Sequence, residues 1–375
     1  MIRQSMNSGE TILNHFVAAG RLPEEEAGSE RVMEKRRRIV WIDVIKVFST
    51  FLIVMQHSIS SSFTSLPVES VDWKILNVLF MLSRMGVPIF IMCSGAGFLA
   101  RRHTIREIWQ KNIAGLVKVY IGWMAVWGIW DVIRIGIQGE NANLRVMVNA
   151  FLKSILFGKY HTWFLFMLLG LYAIAPFLYE IVRQKDHLVY YMLLSLLFTV
   201  ILPVFSRIEA LGRFMTVADS IHMQFVVGYS LYFVAGYYIC NVMEEKWGKY
   251  AEAALLVSAL VAFVLSTAAS MQTQSANHEA YGLFSPCGFV MSVSLMLLFR
   301  KYIGVGGEKR VANAVASLQK YGIAVYLIHA AFVELWAKGS GIICVPIGIL
   351  IWALTMGISA VVYRIPGVRK ILYLS

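Results

Sequence analysis

The chain has 375 residues, 58% of them apolar and 15% charged, with a mean hydropathy of +0.65 and a formal net charge of +12. A soluble domain carries about 25% charged residues, so the composition argues against a soluble enzyme and for a chain whose mass lies in a bilayer. The positive balance would suggest nucleic acid in a soluble protein. Here it fits the basic cytoplasmic loops of a membrane protein, and no nucleic-acid partner is expected.

Residues 1–34 are polar and mixed in charge, with short, broken apolar stretches. They resemble neither a secretory signal peptide nor a span and are read as a flexible cytoplasmic tail. The basic cluster Lys35, Arg36, Arg37, Arg38 then opens a membrane domain over 35–375. A span needs about 20 apolar residues to cross roughly 30 Å of hydrocarbon. Runs of this kind predict helices at 39–61, 73–99, 112–137, 160–183, 187–206, 221–242, 249–270, 281–302, 319–337 and 341–363. The fold class expected is therefore all-α, a polytopic transmembrane bundle of about ten spans. Residues 144–157 predict a further helix lying along the membrane surface.

The loops set the expected orientation. With the N-terminus inside, the inner segments hold Arg31 and Lys35–Arg38, then Arg101, Arg102, Arg106 and Lys111, then Arg183 and Lys185, then Lys246 and Lys249, then Arg300, Lys301, Lys309 and Arg310, then Arg364, Arg369 and Lys370. The outer segments hold fewer, among them Arg145, Lys153, Lys159, Arg207, Arg213 and Lys338, and the outer loops 62–72 and 271–280 hold none. Both termini are expected to be cytoplasmic. Cys93, Cys240, Cys287 and Cys344 lie in or beside apolar runs without metal-ligand spacing, so they read as small buried residues. No metal is expected.

Charged side chains inside spans are costly and mark function by default. The first span carries Asp43, Lys46, Gln56 and His57. Lys46 and His57 are separated by three helical turns plus about 20°, so they share one face about 16 Å apart along the axis. Asp43, one turn before Lys46, is placed to pair with it. Arg84 falls in the middle of the second span, where it must pair with Asp43 or Asp131 or face an aqueous cavity. That span ends in the small residues Ser94 and Gly95, which permit close helix approach or backbone contact with a ligand. Asp131 and Arg134 close the third span. His161, Trp163 and His222 lie at outer span ends, where the tryptophan also suits an interfacial belt. His329 lies mid-span in the ninth helix.

Together these residues resemble the acyltransferase-3 family of integral membrane acyltransferases. The resemblance is carried by Trp41-Ile-Asp43-Val-Ile-Lys46 followed by His57, by Val87-Pro-Ile-Phe90-Ile-Met-Cys-Ser94-Gly95, by His161-Thr-Trp163-Phe-Leu165, by Ala175-Pro176 and by Tyr326-Leu-Ile-His329. It covers roughly residues 36–365. In that family the first motif has arginine where Lys46 stands; the charge is kept and the planar guanidinium fork is lost.

The resemblance implies a membrane-bound O-acyltransferase of the bacterial cytoplasmic membrane. It would move an acetyl group from cytoplasmic acetyl-CoA, a co-substrate, to a hydroxyl of a cell-surface glycan or lipid-linked saccharide, with no bound cofactor. His57 is then the general base and Arg84 the oxyanion stabiliser. Lys46, Ser94, Gly95, Arg101, Arg102 and Lys111 would bind the donor. Asp43, Asp131, His161, Trp163 and His329 would support the site or face the acceptor. No hydrolase-like or racemase domain follows the last span, so transfer is expected to finish within the membrane domain. Two alternatives stay open: transport of a small polar solute along the same polar face, and transfer of another acyl group such as succinyl.

Overall fold

The structure is a computed structural model that describes residues 39–138, 143–205, 228–304 and 309–372. The expected N-terminal tail at 1–34, the basic cluster Lys35–Arg38, Arg207, Arg213 and His222 lie outside the described residues. All regular elements among the described residues are helical.

The helices used below are α1 (Val40–Ser65), α2 (Val71–Ser83), α3 (Gly86–Phe98), α4 (Ala114–Gln138), α5 (Leu144–Phe157), α6 (Trp163–Arg183), α7 (Lys185–Leu196), α8 (Tyr229–Asn241), α9 (Ala251–Thr273), α10 (Pro286–Gly304), α11 (Lys309–Ala316), α12 (Gly322–Phe332) and α13 (Cys344–Val362). A one-turn helix and π-helical turn, Ile105–Glu107 and Ile108–Ile113, lead into α4. Nine helical segments among the described residues are long and apolar enough to cross a membrane. The chain is thus an all-α polytopic bundle. The expected sixth span at 221–242 is seen as α8, 13 residues long, and residues 221–227 lie outside the described residues.

α1 is the hub of the bundle. Its apolar window is 67% buried, against 22% for the segment containing α9, and it packs against α2, α3, α10, α11, α12 and α13. This burial explains how a helix with Asp43, Lys46, Gln56 and His57 is tolerated: its polar face meets protein and an internal cavity instead of lipid. α9 instead exposes Leu256, Val257, Leu260 and Val264, the face a hydrocarbon surround requires.

The predicted second span is broken in its middle. Pro88 has no N–H, so the Arg84 carbonyl loses its helical partner, and α2 ends at Ser83 while α3 starts at Gly86. The break is sewn to α1 by Ser49 Oγ, which donates to the Gly86 carbonyl at 2.6 Å. A Cβ on Gly86 would meet Leu52 and Ile53 at 3.0 Å. The interruption therefore fixes Arg84 beside the mid-level of α1.

α3 and α8 approach as closely as two helices can. A Cβ on Gly95 would lie 1.8 Å from the Phe233 carbonyl oxygen, and one on Gly236 would lie 1.9 Å from that of Met92. Small residues at both crossing points let the backbones touch. The helix expected at 144–157 is seen as α5. Asn143 caps it by accepting from Val146 N at 3.0 Å, most of its residues are exposed, and its buried Ser154 faces α4.

Candidate active site

A cavity of about 370 Å³ opens among α1, α3, α6 and α12. α1 contributes Lys46, Thr50 and Ile53 to its wall, residues spaced four and three apart and so on one helix face. Arg101, His103 and Lys320 give one end of the cavity a basic rim, with Gln319 beside them. Phe90, Phe164 and Tyr326 form an aromatic wall, their rings in edge contact at 5.4 Å and 5.5 Å between centroids. Ser94 and Gly97 supply a small, partly polar stretch of α3.

The α1 face that lines the cavity continues, one turn past Ile53, to His57. There three histidines from three separate segments meet. The His57 ring lies 5.1 Å from His329, and His329 lies 5.6 Å from His161. Tyr160 sets its ring edge against both His57 (5.5 Å) and His161 (5.2 Å). His329 is fully buried and His161 is 1% exposed. His57 is half-buried. Among the described residues, no group of three His, Cys, Asp or Glu side chains is arranged to hold a metal ion.

Hydrogen bonds in this cluster are incomplete. His329 Nδ1 lies 2.6 Å from the Tyr326 carbonyl, while its Nε2 and both ring nitrogens of His161 are buried without partners among the described residues. The Leu327 carbonyl accepts from Trp127 Nε1 at 3.0 Å and lies beside the His161 ring outside good hydrogen-bond geometry. Buried unpaired polar atoms are rare and costly in folded proteins, and their concentration here marks a site rather than a core. Tyr326 belongs to both regions. Its ring lines the cavity and lies 5.7 Å from His161 and 6.0 Å from His329, and its hydroxyl donates to the His161 carbonyl.

Arg84 does not pair with Asp131, one of the partners its sequence position allowed. Asp131 is occupied by Lys159 at 2.5 Å, Ser154 Oγ at 2.6 Å and, more loosely, Arg134 at 3.7 Å. This is a latch between α4 and the end of α5. Lys159 also lies 5.2 Å over the Trp127 ring, and Trp127 packs at 5.8 Å against His161. Asp131 therefore touches the histidine cluster only through intermediaries. The Arg84 guanidinium sits 5.6 Å over the Phe80 ring, its Nε buried and unpartnered among the described residues, and its charge acts on His57, His278 and Tyr281. His278, in the loop after α9, packs against Phe63 and Phe80. Burial first, and the Arg84 charge second, hold its imidazole below the ordinary value of 6.5.

Further expectations change. Gly95 does not line the cavity; its face of α3 is spent on the contact with Phe233. Arg102 and Lys111 are exposed and absent from the cavity wall, and Lys111 pairs at 3.3 Å with Glu107, one helical turn away on the same segment. Trp163 is 41% exposed and packs against Tyr229 at 5.8 Å, outside the histidine cluster. Asp43 is buried one turn from Lys46, short of the cavity. Lys46, Ser94 and Arg101 do reach the cavity, and His57, His161 and His329 do converge. Sequence reasoning passed over His103, Lys320, Tyr160 and Tyr326 as site residues. The signal was there for Lys320, a basic residue at the start of a predicted span, and for Tyr326, within a quoted motif.

A family model described as an acyltransferase domain matches residues 39–364. The chain belongs to the acyltransferase-3 family. No curated protein and no solved structure matches it. The matched residues begin just before α1 and end just after α13, so they take in the cavity, the broken second span and all three histidines. The protein is a membrane acyltransferase.

Proposed function

We propose that this acyltransferase moves an acetyl group from acetyl-CoA, reached from the cytoplasm, to a hydroxyl of an extracytoplasmic glycan or lipid-linked saccharide. The observation that carries the reading is the single face of α1 on which Lys46, Thr50 and Ile53 line a basic-rimmed cavity and His57 stands at its far end. With both termini inside, as the loop charges favour, the rim opens toward the cytoplasm and the histidine cluster lies toward the outer leaflet. This is the arrangement expected of a multi-pass protein of a bacterial cytoplasmic membrane.

Arg101, Lys320 and Lys46 are the cations suited to the phosphates of the coenzyme, with His103 beside Arg101 at 3.1 Å. The pantetheine arm would run past Ser94 and Gly97 and bring the thioester to Ile53 and Tyr326, within about 6 Å along α1 of His57. His57 takes the proton of the acceptor hydroxyl as its oxygen attacks the thioester carbon. The C–S bond breaks, and the thiolate leaves with the proton that His57 gives back. Arg84, with its Nε unpartnered among the described residues, stabilises the oxyanion that forms between these events.

The reading is tested in proteoliposomes and in cells. Free thiol release from acetyl-CoA, compared with release from succinyl-CoA, measures donor choice. Mass spectrometry of surface glycans with and without the gene looks for one acetyl mass on a defined sugar. Acyl-dependent thiol release that is absent for acetyl-CoA and present for succinyl-CoA would overturn the acetyl assignment.

A further inference from the structure

His329 sits in the ninth predicted span with no counter-ion among the described residues, no place at the membrane surface and no part in lining the cavity. Its hydrogen bond fixes more than its orientation. A backbone carbonyl only accepts, so Nδ1, 2.6 Å from the Tyr326 carbonyl, must carry a proton. In the neutral ring Nε2 is then a lone-pair acceptor. It is also buried with no donor among the described residues.

The side-chain rings packed around it are His57 at 5.1 Å, His161 at 5.6 Å and Tyr326 at 6.0 Å. The Tyr326 hydroxyl is committed to the His161 carbonyl. His57 and His161 are left as donors. His57 is the nearer ring, and it alone of the three histidines is not fully enclosed. Tyr160 lies against both His57 and His161, Trp127 lies against His161, the Lys159 charge acts on His161 and the Arg84 charge acts on His57. The Glu334 carboxylate acts on Tyr160 and not on the His57 or His329 rings.

From this we infer that His329 is a positioning residue that sets the tautomer of His57. Its Nε2 accepts the N–H of the His57 ring, a contact that a small rotation of either ring makes at the 5.1 Å centroid separation and that substrate tightens, which leaves the other His57 nitrogen with its lone pair free for the acceptor hydroxyl. Catalytic hydrogen bonds are often long in a substrate-free enzyme and tighten in the complex. The Tyr326 carbonyl, His329 and His57 then form a chain in which a neutral imidazole does the orienting that a carboxylate does in a hydrolase triad. The inference rests on the proposed role of His57 as base.

The test reads His57 directly, without an acceptor. Diethyl pyrocarbonate acylates an unprotonated imidazole nitrogen, and peptide mass spectrometry resolves the rate at each histidine of the full-length protein in detergent at about pH 7, where an ordinary imidazole is mostly neutral. His329→Asn keeps an N–H for the Tyr326 carbonyl and removes the acceptor at the ε position. His329→Gln places an amide oxygen close to that position. The expected result is that His329→Asn slows labelling of His57, while His329→Gln recovers most of the wild-type rate. Equal rates in wild type and both variants overturn the inference. So does equal loss in both, which would mark His329 as packing only, and so does a wild-type His57 that takes no label. Acyl-transfer assays of the same variants separate the two readings. A His57→Ala variant that still transfers acetyl sinks the base assignment, whereas a dead His57→Ala beside a fully active His329→Asn sinks only the positioning role.

Discussion

The rings of His57 and His329 lie 5.1 Å apart, although one residue belongs to the first helix and the other to the twelfth. Their meeting places two otherwise unexplained intramembrane histidines in one cluster, at the end of the α1 face that also lines the large cavity. That face, and the contacts that hold it in place, can be tested residue by residue.

His57→Ala removes the base and should lower kcat by about 10²–10⁴ without loss of folded protein. Steady-state thiol release from acetyl-CoA in the presence of acceptor, read beside the melting profile in detergent, checks both halves. Near wild-type turnover would show that another group accepts the hydroxyl proton.

Lys46 lines the cavity wall four residues before Thr50. Lys46→Arg keeps the charge and should retain most of the activity. Lys46→Met should raise KM for acetyl-CoA about tenfold with a smaller change in kcat, the mark of a group that binds donor and transition state alike. A pure loss of folded protein in Lys46→Met would assign the lysine to structure.

A methyl group on Gly95 has no room, because its carbon would stand only 1.8 Å from the Phe233 carbonyl oxygen. Gly95→Ala must push α3 and α8 apart and should destabilise the bundle by about 1–3 kcal/mol. Thermal unfolding in detergent measures it. Gly97→Ala is the control on the same helix, because a Cβ there meets nothing within 4 Å, and it should melt as the wild type does.

Asp131→Ala leaves Lys159 without its 2.5 Å partner and releases Ser154. The end of α5 should loosen, and because Lys159 also covers Trp127, the packing around His161 should loosen with it. Limited proteolysis in the segment 143–160, compared with the wild type, reads the first effect. Activity should fall by less than in His57→Ala, since Asp131 touches the histidines only through other residues.

His278 is held below its ordinary value of 6.5 by burial and by the Arg84 charge. The loop in its packed state therefore binds fewer protons than the opened loop, and the packed state loses stability as pH falls through 6.5 and below. Hydrogen exchange over residues 274–285 should speed up in mild acid. The variant His278→Phe, which keeps a ring against Phe63 and Phe80, should lose that acid dependence.

Long apolar runs made the helical bundle legible in the sequence, because a bilayer leaves helices as the economical way to satisfy every backbone polar group within one segment. The α1 face was legible for the same reason: helical periodicity alone aligns Lys46 with His57. The break at Arg84 was hidden inside an apolar run, even though Pro88 supplied its cause. What periodicity cannot give is the partner of each face. Arg102 and Lys111 look as useful as Arg101 by charge, and only the turn of the chain before α4 leaves them outside the cavity. Gly95 and Gly97 are equivalent letters two positions apart, yet the approach of α8 makes one a packing contact and leaves the other at the cavity. The sequence by itself determined that polar groups stand inside membrane helices. Tertiary structure decided which of them meet, because His57, His161 and His329 are far apart along the chain and only the packing of α12 and the start of α6 around α1 brings their rings together.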